Sequence, residues 1–148
     1  MVWQAFLQIP NVSGESTDSR RKGWIDLTGV SFGANVSAAN ARPEFEAVVV
    51  TKAFDSTSFV LLEHILSGTP IDGGLIEIVA GVSTVEATIY RVTLKQGHIA
   101  AASSHVEANQ ALETIQIACT QMQWTVTDQS GKVVAPETGW DIVNNKVM

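Results

Sequence analysis

The sequence predicts a mainly β protein, an antiparallel barrel or sandwich that carries one helix. Short apolar segments with a two-residue alternation recur along the chain, and turn residues such as Asp72-Gly73-Gly74 separate them, which is typical of antiparallel sheets. One segment alone, residues 54–68, spaces its apolar side chains as a helix does. The length of 148 residues suggests a single domain, residues 1–148, large enough to bury a core without disulfides.

The first predicted strand is half-buried and ends at Pro10, because its apolar residues alternate with glutamines. Those apolar residues are Trp3, Ala5, Leu7 and Ile9. A polar loop with charges of both signs, Gly14 to Lys22, follows this strand. Gly23 to Gly33 then predicts one strand, and because apolar residues occupy both of its faces, we expect both faces to be buried.

The predicted helix lies between Phe54 and Gly68, after a predicted strand from Glu44 to Lys52. Hydroxyl and carboxylate side chains at residues 55–58 offer N-cap oxygens. Gly68 suits the position just after the helix, and Pro70 prevents its continuation. The apolar face predicted to pack inward consists of Leu61, Leu62, Ile65 and Leu66.

Strands are predicted for most of the remaining sequence. The last ten residues, 139–148, include Trp140 and are expected to pack against the rest of the domain. A turn is predicted at residues 82–84 and another at Gln96-Gly97, where the alternation is interrupted. The predicted strands are Leu75 to Gly81, Val85 to Lys95, His98 to Glu107, Leu112 to Asp128, and a return that begins at Val133.

Composition excludes several functional classes. The net charge of −6 argues against nucleic-acid binding, which needs a basic surface. A single cysteine, Cys119, excludes an intrachain disulfide and a Cys-rich metal site. The amino terminus does not resemble a signal peptide, and no segment approaches the ~20 apolar residues of a membrane span. Charged residues make up 16% of the chain, below the typical ~25%, which favours close approach by other protein.

No constellation of residues predicts an active site, a metal site or a cofactor. Residues 29–33, Gly-Val-Ser-Phe-Gly, match the nucleophile elbow of serine hydrolases, but no helical pattern follows Ser31. His98 and His105 differ by an odd number and would face opposite sides of one strand. Glu44 and Glu46 share a strand face but are expected at an exposed edge. We therefore expect a protein that is not an enzyme.

The sequence resembles the haemolysin-coregulated proteins (Hcp), the tube subunits of the type VI secretion system. The resemblance begins with a Gly-Glu-Ser-x-Asp loop followed by Gly-Trp-Ile, and its order and spacing extend over almost all of the chain. The matching pieces are Gly14 to Asp18, Gly23 to Ile25, Thr51 to Leu62, Tyr90 to Leu94, Glu113 to Trp124, and Gly139 to Asp141. Departures occur where the family commonly has other residues, at Arg21, Phe32, Phe59, Gln121 and Val126.

The resemblance implies an antiparallel two-sheet β-barrel with one α-helix packed on the outside. It further implies hexameric rings that stack into a hollow tube inside a contractile sheath, capped by a VgrG-type spike protein. Effectors ride in the lumen, and the tube is assembled in the cytoplasm and then expelled without a signal peptide. Neither a membrane nor nucleic acid is an expected partner.

The loop from Gly14 to Gly23 is the predicted contact with a neighbouring ring or subunit, although an ordinary solvated loop has the same composition. Its predicted interface residues are Glu15, Ser16, Asp18, Arg20, Arg21 and Lys22. Replacing Arg20 and Arg21 by Asp is expected to weaken stacking without unfolding the subunit. The alternatives are a phage-type tail tube, a small β-sandwich that binds a ligand in an aromatic groove, and a serine hydrolase that uses Ser31.

Overall fold

A computed structural model describes residues 2–39, 41–81 and 87–148. The predicted turn at residues 82–84 lies outside these ranges. Within them the chain forms twelve strands and one helix. In chain order they are β1 (Val2–Gln8), β2 (Ile25–Leu27), β3 (Gly29–Ser31), β4 (Ala34–Asn35), β5 (Glu44–Phe45), β6 (Val48–Ala53), α1 (Ser58–Ser67), β7 (Pro70–Ile71), β8 (Gly74–Gly81), β9 (Thr88–Glu107), β10 (Gln110–Asp128), β11 (Val133–Asp141) and β12 (Lys146–Val147).

Strand pairing forms one continuous series, and every pair in it is antiparallel. β1 pairs with β2 and β8, β8 with β9, β9 with β10, β10 with β6, and β6 with β3. The two ends of the series, β2 and β3, are consecutive in the chain. They are separated only by Thr28, whose amide donates to the Thr51 carbonyl at 2.7 Å. The prediction of a mainly β, antiparallel fold with one helix is confirmed.

The two longest strands, β9 and β10, form a hairpin whose neighbouring strands change along its length. The first half of β10 lies between β9 and β6, whereas its second half lies between β9 and β11. β9 changes partners in the same way, since it pairs with β8 near its start and with the short β7 at Gly97 and His98. The hairpin therefore joins the strands around the core to β11 and β12 at the edge of the same ten-stranded sheet.

The predicted single strand from Gly23 to Gly33 is divided into β2 and β3 at Thr28. The division lets the chain leave β1 and join β6, so the segment forms a corner of the barrel. The expectation that both faces of this segment are buried was wrong, because Ile25 is buried but Phe32 is 43% exposed. A corner strand faces the core for only part of its length, which is why alternating apolar residues overstated its burial.

The predicted turn at Gln96-Gly97 was also wrong, because β9 continues through both residues. A Cβ atom added to Gly97 would lie 2.8 Å from the Ala118 carbonyl oxygen and 3.4 Å from the Ile71 carbonyl oxygen. The glycine permits β7 and β10 to approach β9 closely on both sides. In this strand glycine therefore marks a close backbone approach and not a reversal of the chain.

The core lies inside the barrel and is aliphatic. Ile and Val side chains from the facing strands meet there, and most of them are completely buried. The fully or nearly fully buried members include Leu7, Ile25, Val48, Val50, Leu61, Ile76, Leu94, Ile115 and Ile117. In β6 and the first half of β10 these residues alternate with less buried ones, because one face of each strand is turned towards the core over that length.

Helix α1 packs along β9 on the outside of the barrel, as the resemblance implied. It ends where the sequence predicted, with Gly68 in the left-handed conformation at φ 68° and its amide bonded to the Ile65 carbonyl. Leu61 is buried, but Leu62 and Leu66 are 40% and 79% exposed, so half of the predicted inward face points outward. Among the described segments, α1 falls far short of the length and apolar content that a membrane-spanning helix needs.

A buried ion pair joins the start of α1 to the hairpin. The Lys52 ammonium lies 2.7 Å from a Glu113 carboxylate oxygen and 2.9 Å from Asp55, and neither Lys52 nor Glu113 reaches solvent. Burial opposes the ionised form of Asp55, but hydrogen bonds from Thr57 and Lys52 outweigh it and hold the pKa of that carboxyl below its usual value. These contacts fix the segment between β6 and α1.

Candidate functional site

The loop from Gly14 to Gly23 is ordered by main-chain hydrogen bonds and lies against the start of β2. The Gly14 amide donates to the Gly23 carbonyl at 2.7 Å, and the Ser16 amide donates to the Trp24 carbonyl at 2.9 Å. A Cβ atom at Gly14 would collide with the Trp24 carbonyl, so this pairing requires glycine. The loop therefore presents a defined surface.

Arg21 is buried inside the subunit and is not a free loop residue. Its Nε donates to a Glu77 carboxylate oxygen at 2.7 Å, and its guanidinium lies 5.0 Å from the centre of the Phe6 ring. The other oxygen of Glu77 accepts from Nε and Nη2 of Arg91. Replacing Arg21 by Asp would place two carboxylates side by side in the interior, so this change is expected to destabilise the subunit itself.

The other five predicted interface residues divide between the interior and the surface. Ser16 is buried, and its hydroxyl accepts a hydrogen bond from the Asp18 amide. Asp18 lies 3.4 Å from Arg21. Glu15, Arg20 and Lys22 are exposed.

Two of the exposed loop residues contact distant segments of the same subunit. A Glu15 carboxylate oxygen accepts from the Ser56 amide at 2.7 Å, and Arg20 donates to the Gln129 carbonyl at 2.5 Å. The loop thus bridges the start of α1 and the turn after β10. Its outer charges, Glu15, Arg20 and Lys22, are the part that is available to another molecule.

Ser31 and the histidines do not form a catalytic arrangement. Ser31 ends β3, and the short strand β4 follows it, so the strand-to-helix turn of a nucleophile elbow is not formed. His105 lies 2.9 Å from Glu107 on the exposed hairpin, in the part of β9 beyond His98. Within residues 2–39, 41–81 and 87–148, no cluster of three His, Cys, Asp or Glu side chains suits a metal ion. Burial raises the pKa of the Cys119 thiol to about 11, which makes it a poor nucleophile.

An open apolar depression of about 410 Å³ lies where residues 32–34 meet β5, β9 and β10. We call it the aromatic depression. Its lining includes Phe32, Phe45, Tyr90, Val92, Met122 and Trp124, with Arg91 among the bordering residues. Trp124 is 38% exposed there. Trp3, at 58% exposure, lies beside Tyr90 with ring centres 6.0 Å apart and extends the aromatic surface.

The outer face of α1 is a second exposed apolar surface, which we call the helix ridge. It consists of Phe59, Leu62 and Leu66, at intervals of three and four residues, with Glu63 among them. Phe59 is 70% exposed, and its ring packs only edge-on against Phe54. The sequence did predict an apolar helix face, but it could not show that one side of it faces away from the barrel.

Comparison with known proteins decides the family. The family model described as "Type VI secretion system effector, Hcp" matches residues 6–126. The chain belongs to the Hcp family. Hcp proteins are tube subunits of the type VI secretion system, and this chain is one of them.

Solved Hcp structures share this fold over the whole chain. A protein described as a type six secretion system protein is 23% identical, with a TM-score of 0.83, and the match covers 99% of this chain and 100% of that one. Hcp1 from Salmonella typhimurium is 16% identical, with a TM-score of 0.83 and complete coverage of both chains. Secreted protein Hcp3 from Pseudomonas aeruginosa is 18% identical, with a TM-score of 0.71 and coverage of 95% and 98%. No curated protein matches the chain significantly in sequence.

Proposed function

We propose that this Hcp chain closes into hexameric rings that stack as the inner tube of a type VI secretion system. The tube is assembled in the cytoplasm inside the contractile sheath, is capped by a VgrG-type spike protein, and is expelled with effectors in its lumen. The subunit acts as a structural part and has no catalytic role. The observation that carries this proposal is the family match over residues 6–126.

Physical features of the subunit support assembly. A ring needs a head-to-tail contact between two different surfaces of one chain. The subunit exposes two separate apolar surfaces, the aromatic depression and the helix ridge, whereas monomers rarely leave large apolar patches in water. The low content of charged residues, 16%, favours the same conclusion.

The exposed part of the Gly14–Gly23 loop is the proposed contact between stacked rings. Glu15, Arg20 and Lys22 carry charges of both signs at this surface, and paired charges of this kind set register between docked surfaces. Replacing Arg20 and Lys22 by Asp should shorten tubes while the rings and the fold persist. Tubes of unchanged length would contradict this contact.

The test of the ring itself is the mass and shape of the purified protein. Light scattering should give about six times the chain mass of 15.8 kDa, and negative-stain electron microscopy should show rings with an open centre. A monomer at every concentration would contradict rings that form without partners.

The aromatic depression also favours one alternative, a β-sandwich module that binds an apolar ligand. Ligand sites are commonly apolar pockets with aromatic walls. That alternative predicts a monomer whose Trp124 fluorescence changes when an apolar probe such as anilinonaphthalene sulfonate is added. In a ring whose interface includes the depression, the same probe should bind only after the ring is dissociated.

A further inference from the structure

A row of side chains crosses three neighbouring strands on the face of the sheet that is turned away from the aromatic depression. Phe6 of β1 is the register partner of Glu77 of β8, which is in turn the register partner of Arg91 of β9. Register partners point to the same face. Tyr90 and Val92, the neighbours of Arg91 along β9, line the depression, so the row lies on the opposite face.

Arg21 attaches the Gly14–Gly23 loop to this row. It is buried, whereas its neighbours in the sequence, Arg20 and Lys22, are exposed. Its Nε lies 2.7 Å from Oε1 of Glu77, and Oε2 of the same carboxylate accepts from Nε of Arg91 at 2.8 Å. Each oxygen of Glu77 therefore serves a different arginine, one from the loop and one from the sheet.

Stability alone does not explain why a charged side chain attaches the loop. Moving a guanidinium and a carboxylate out of water costs about as much as their attraction returns, so an apolar pair of similar size would stabilise a subunit equally well. A guanidinium differs from an apolar side chain because it binds a carboxylate in a restricted, planar geometry. The contact between Arg21 and Glu77 therefore adds a defined position of the loop on the sheet.

The position of Arg21 also determines where Arg20 and Lys22 lie, because the Cα atoms of consecutive residues are about 3.8 Å apart. Residues 12–24 form neither helix nor strand, so regular main-chain pairing does not restrain this segment. The two exposed charges belong to the surface that is proposed to contact a stacked ring. Charges set register between docked surfaces most effectively when they are held in place before docking.

We propose that Arg21 is a positioning residue for the contact between stacked rings. Its bond to Glu77 holds the Gly14–Gly23 loop on the sheet in advance, so that little further ordering is needed when a second ring docks. Arg21 acts from inside its own subunit and does not itself touch the other ring. This inference rests on the proposed stacking contact and assigns the group that prepares its surface.

Arg21→Met and Arg91→Met form a matched pair, because each removes one arginine and leaves Glu77 bound to the other. Both variants should therefore fold and form rings. In Arg21→Met, hydrogen exchange at the Ser16 and Gly23 amides, which bond within the loop, should become about tenfold faster or more. In Arg91→Met the loop keeps its attachment, and the same amides should change by less than about twofold.

Tube length is the second measurement, made by negative-stain electron microscopy at equal ring concentrations. Arg21→Met should shorten the tubes by roughly twofold or more, because a loop that is not held must be ordered on docking. Arg91→Met should keep the wild-type length. Arg21→Lys retains a cation without the planar fork and should give intermediate values of both exchange and length. Ile115→Val, a mild change at a fully buried core residue, lowers stability away from the loop and should alter neither measurement.

The outcomes separate this inference from the proposed function. Unchanged loop exchange in Arg21→Met, or an equal increase in Arg91→Met or Ile115→Val, would overturn it. Wild-type tube length in Arg21→Met, under conditions where replacing Arg20 and Lys22 by Asp shortens the tubes, would overturn it and leave the stacking contact intact.

Two further results have an equally direct meaning. If Arg21→Met forms no rings, Arg21→Lys decides the matter, and wild-type values of exchange and tube length in that variant would overturn the inference. If replacing Arg20 and Lys22 by Asp leaves tube length unchanged, the proposed stacking contact is contradicted, and this inference fails with it.

Discussion

Individual charged residues in this Hcp subunit are buried to an unusual degree, and each has a specific partner. Lys52 and Glu113 lie inside the barrel at 2.7 Å, and Arg21 lies beside Glu77 at the same distance. A buried pair gains little over apolar side chains of similar size, but the loss of one partner leaves a charge without compensation in the interior. The consequences of substitution therefore depend on whether one partner is removed or both.

Lys52→Ala should lower the free energy of unfolding by about 3–5 kcal/mol, because Glu113 would remain buried without its partner. Urea denaturation measures this loss. The double variant Lys52→Met with Glu113→Leu should recover most of it, since both charges are removed. A double variant as unstable as Lys52→Ala alone would show that packing, and not the unpaired charge, causes the loss.

Arg21→Asp and Arg20→Asp should have very different effects on stability, although the residues are adjacent. Arg21→Asp should cost several kcal/mol, about 3–5, because it places a carboxylate against the buried Glu77. Arg20→Asp should change the free energy of unfolding by about 0.5 kcal/mol or less, because Arg20 is exposed. Thermal unfolding of the two variants in parallel gives the comparison, and equal midpoints would contradict it.

At the scale of elements, the long strand β9 depends on a residue that ordinarily weakens strands. Gly97 lies between β7 and β10, where the backbone of each neighbour approaches closely. Two-residue alternation describes side-chain direction only and cannot reveal such an approach.

Gly97→Ala should lower the free energy of unfolding by about 1–3 kcal/mol, because its Cβ would lie 2.8 Å from the Ala118 carbonyl and force the strands apart. Chemical denaturation measures this loss. Gly73→Ala offers a contrast, since a Cβ there has no atom within 4 Å and the cost arises only from its φ of 86°. A Gly97→Ala variant as stable as wild type would contradict the close approach of β10 to β9 at this residue.

The start of α1 should make stability depend on pH through Asp55. The pKa of Asp55 is lowered in the folded state because hydrogen bonds from Thr57 and Lys52 outweigh burial. The stabilising contribution is therefore complete above the ordinary carboxyl pKa of about 3.9 and is lost as pH falls through the lower folded value.

Asp55→Asn should accordingly lower the free energy of unfolding by about 1 kcal/mol at pH 6, because it removes the charge that Lys52 and Thr57 stabilise. The difference between the variant and wild type should shrink below about pH 4. Unfolding curves at several pH values measure the difference. A constant difference between pH 6 and pH 2 would contradict this account.

At the scale of the whole molecule, a substitution at Trp124 is expected to affect ring formation more than it affects the stability of the subunit. Trp124→Ala should cost about 1–2 kcal/mol, less than the ~3–5 kcal/mol of a fully buried aromatic residue, because Trp124 is 38% exposed. The same change should reduce the fraction of protein in rings measured by light scattering, since it removes apolar surface from an exposed depression that assembly is expected to cover. Phe6→Ala, at a 5% exposed site inside the subunit, is the contrasting variant and should lower stability most.

Some elements of the fold could be predicted from the sequence and others could not. The strands in the core, such as β6, follow from alternation because one face is buried along their length. The helix end follows from Gly68, and the motif order predicted the family that the match over residues 6–126 then established. The loop from Gly14 to Gly23 was predicted as a contact surface, but the sequence could not sort its six predicted residues into buried and exposed ones.

The sequence by itself determined the mainly β class, the single described helix, the absence of an elbow around Ser31 and the family. Each of these depends on residues within a few positions of one another, or on motifs read in order. Only the tertiary structure decided that Arg21 and Lys52 are interior, and that Trp124 and Leu66 are at the surface. The partners of Arg21 and Lys52 are 56 and 61 residues away along the chain, and burial depends on which distant strands meet, which local patterns do not encode.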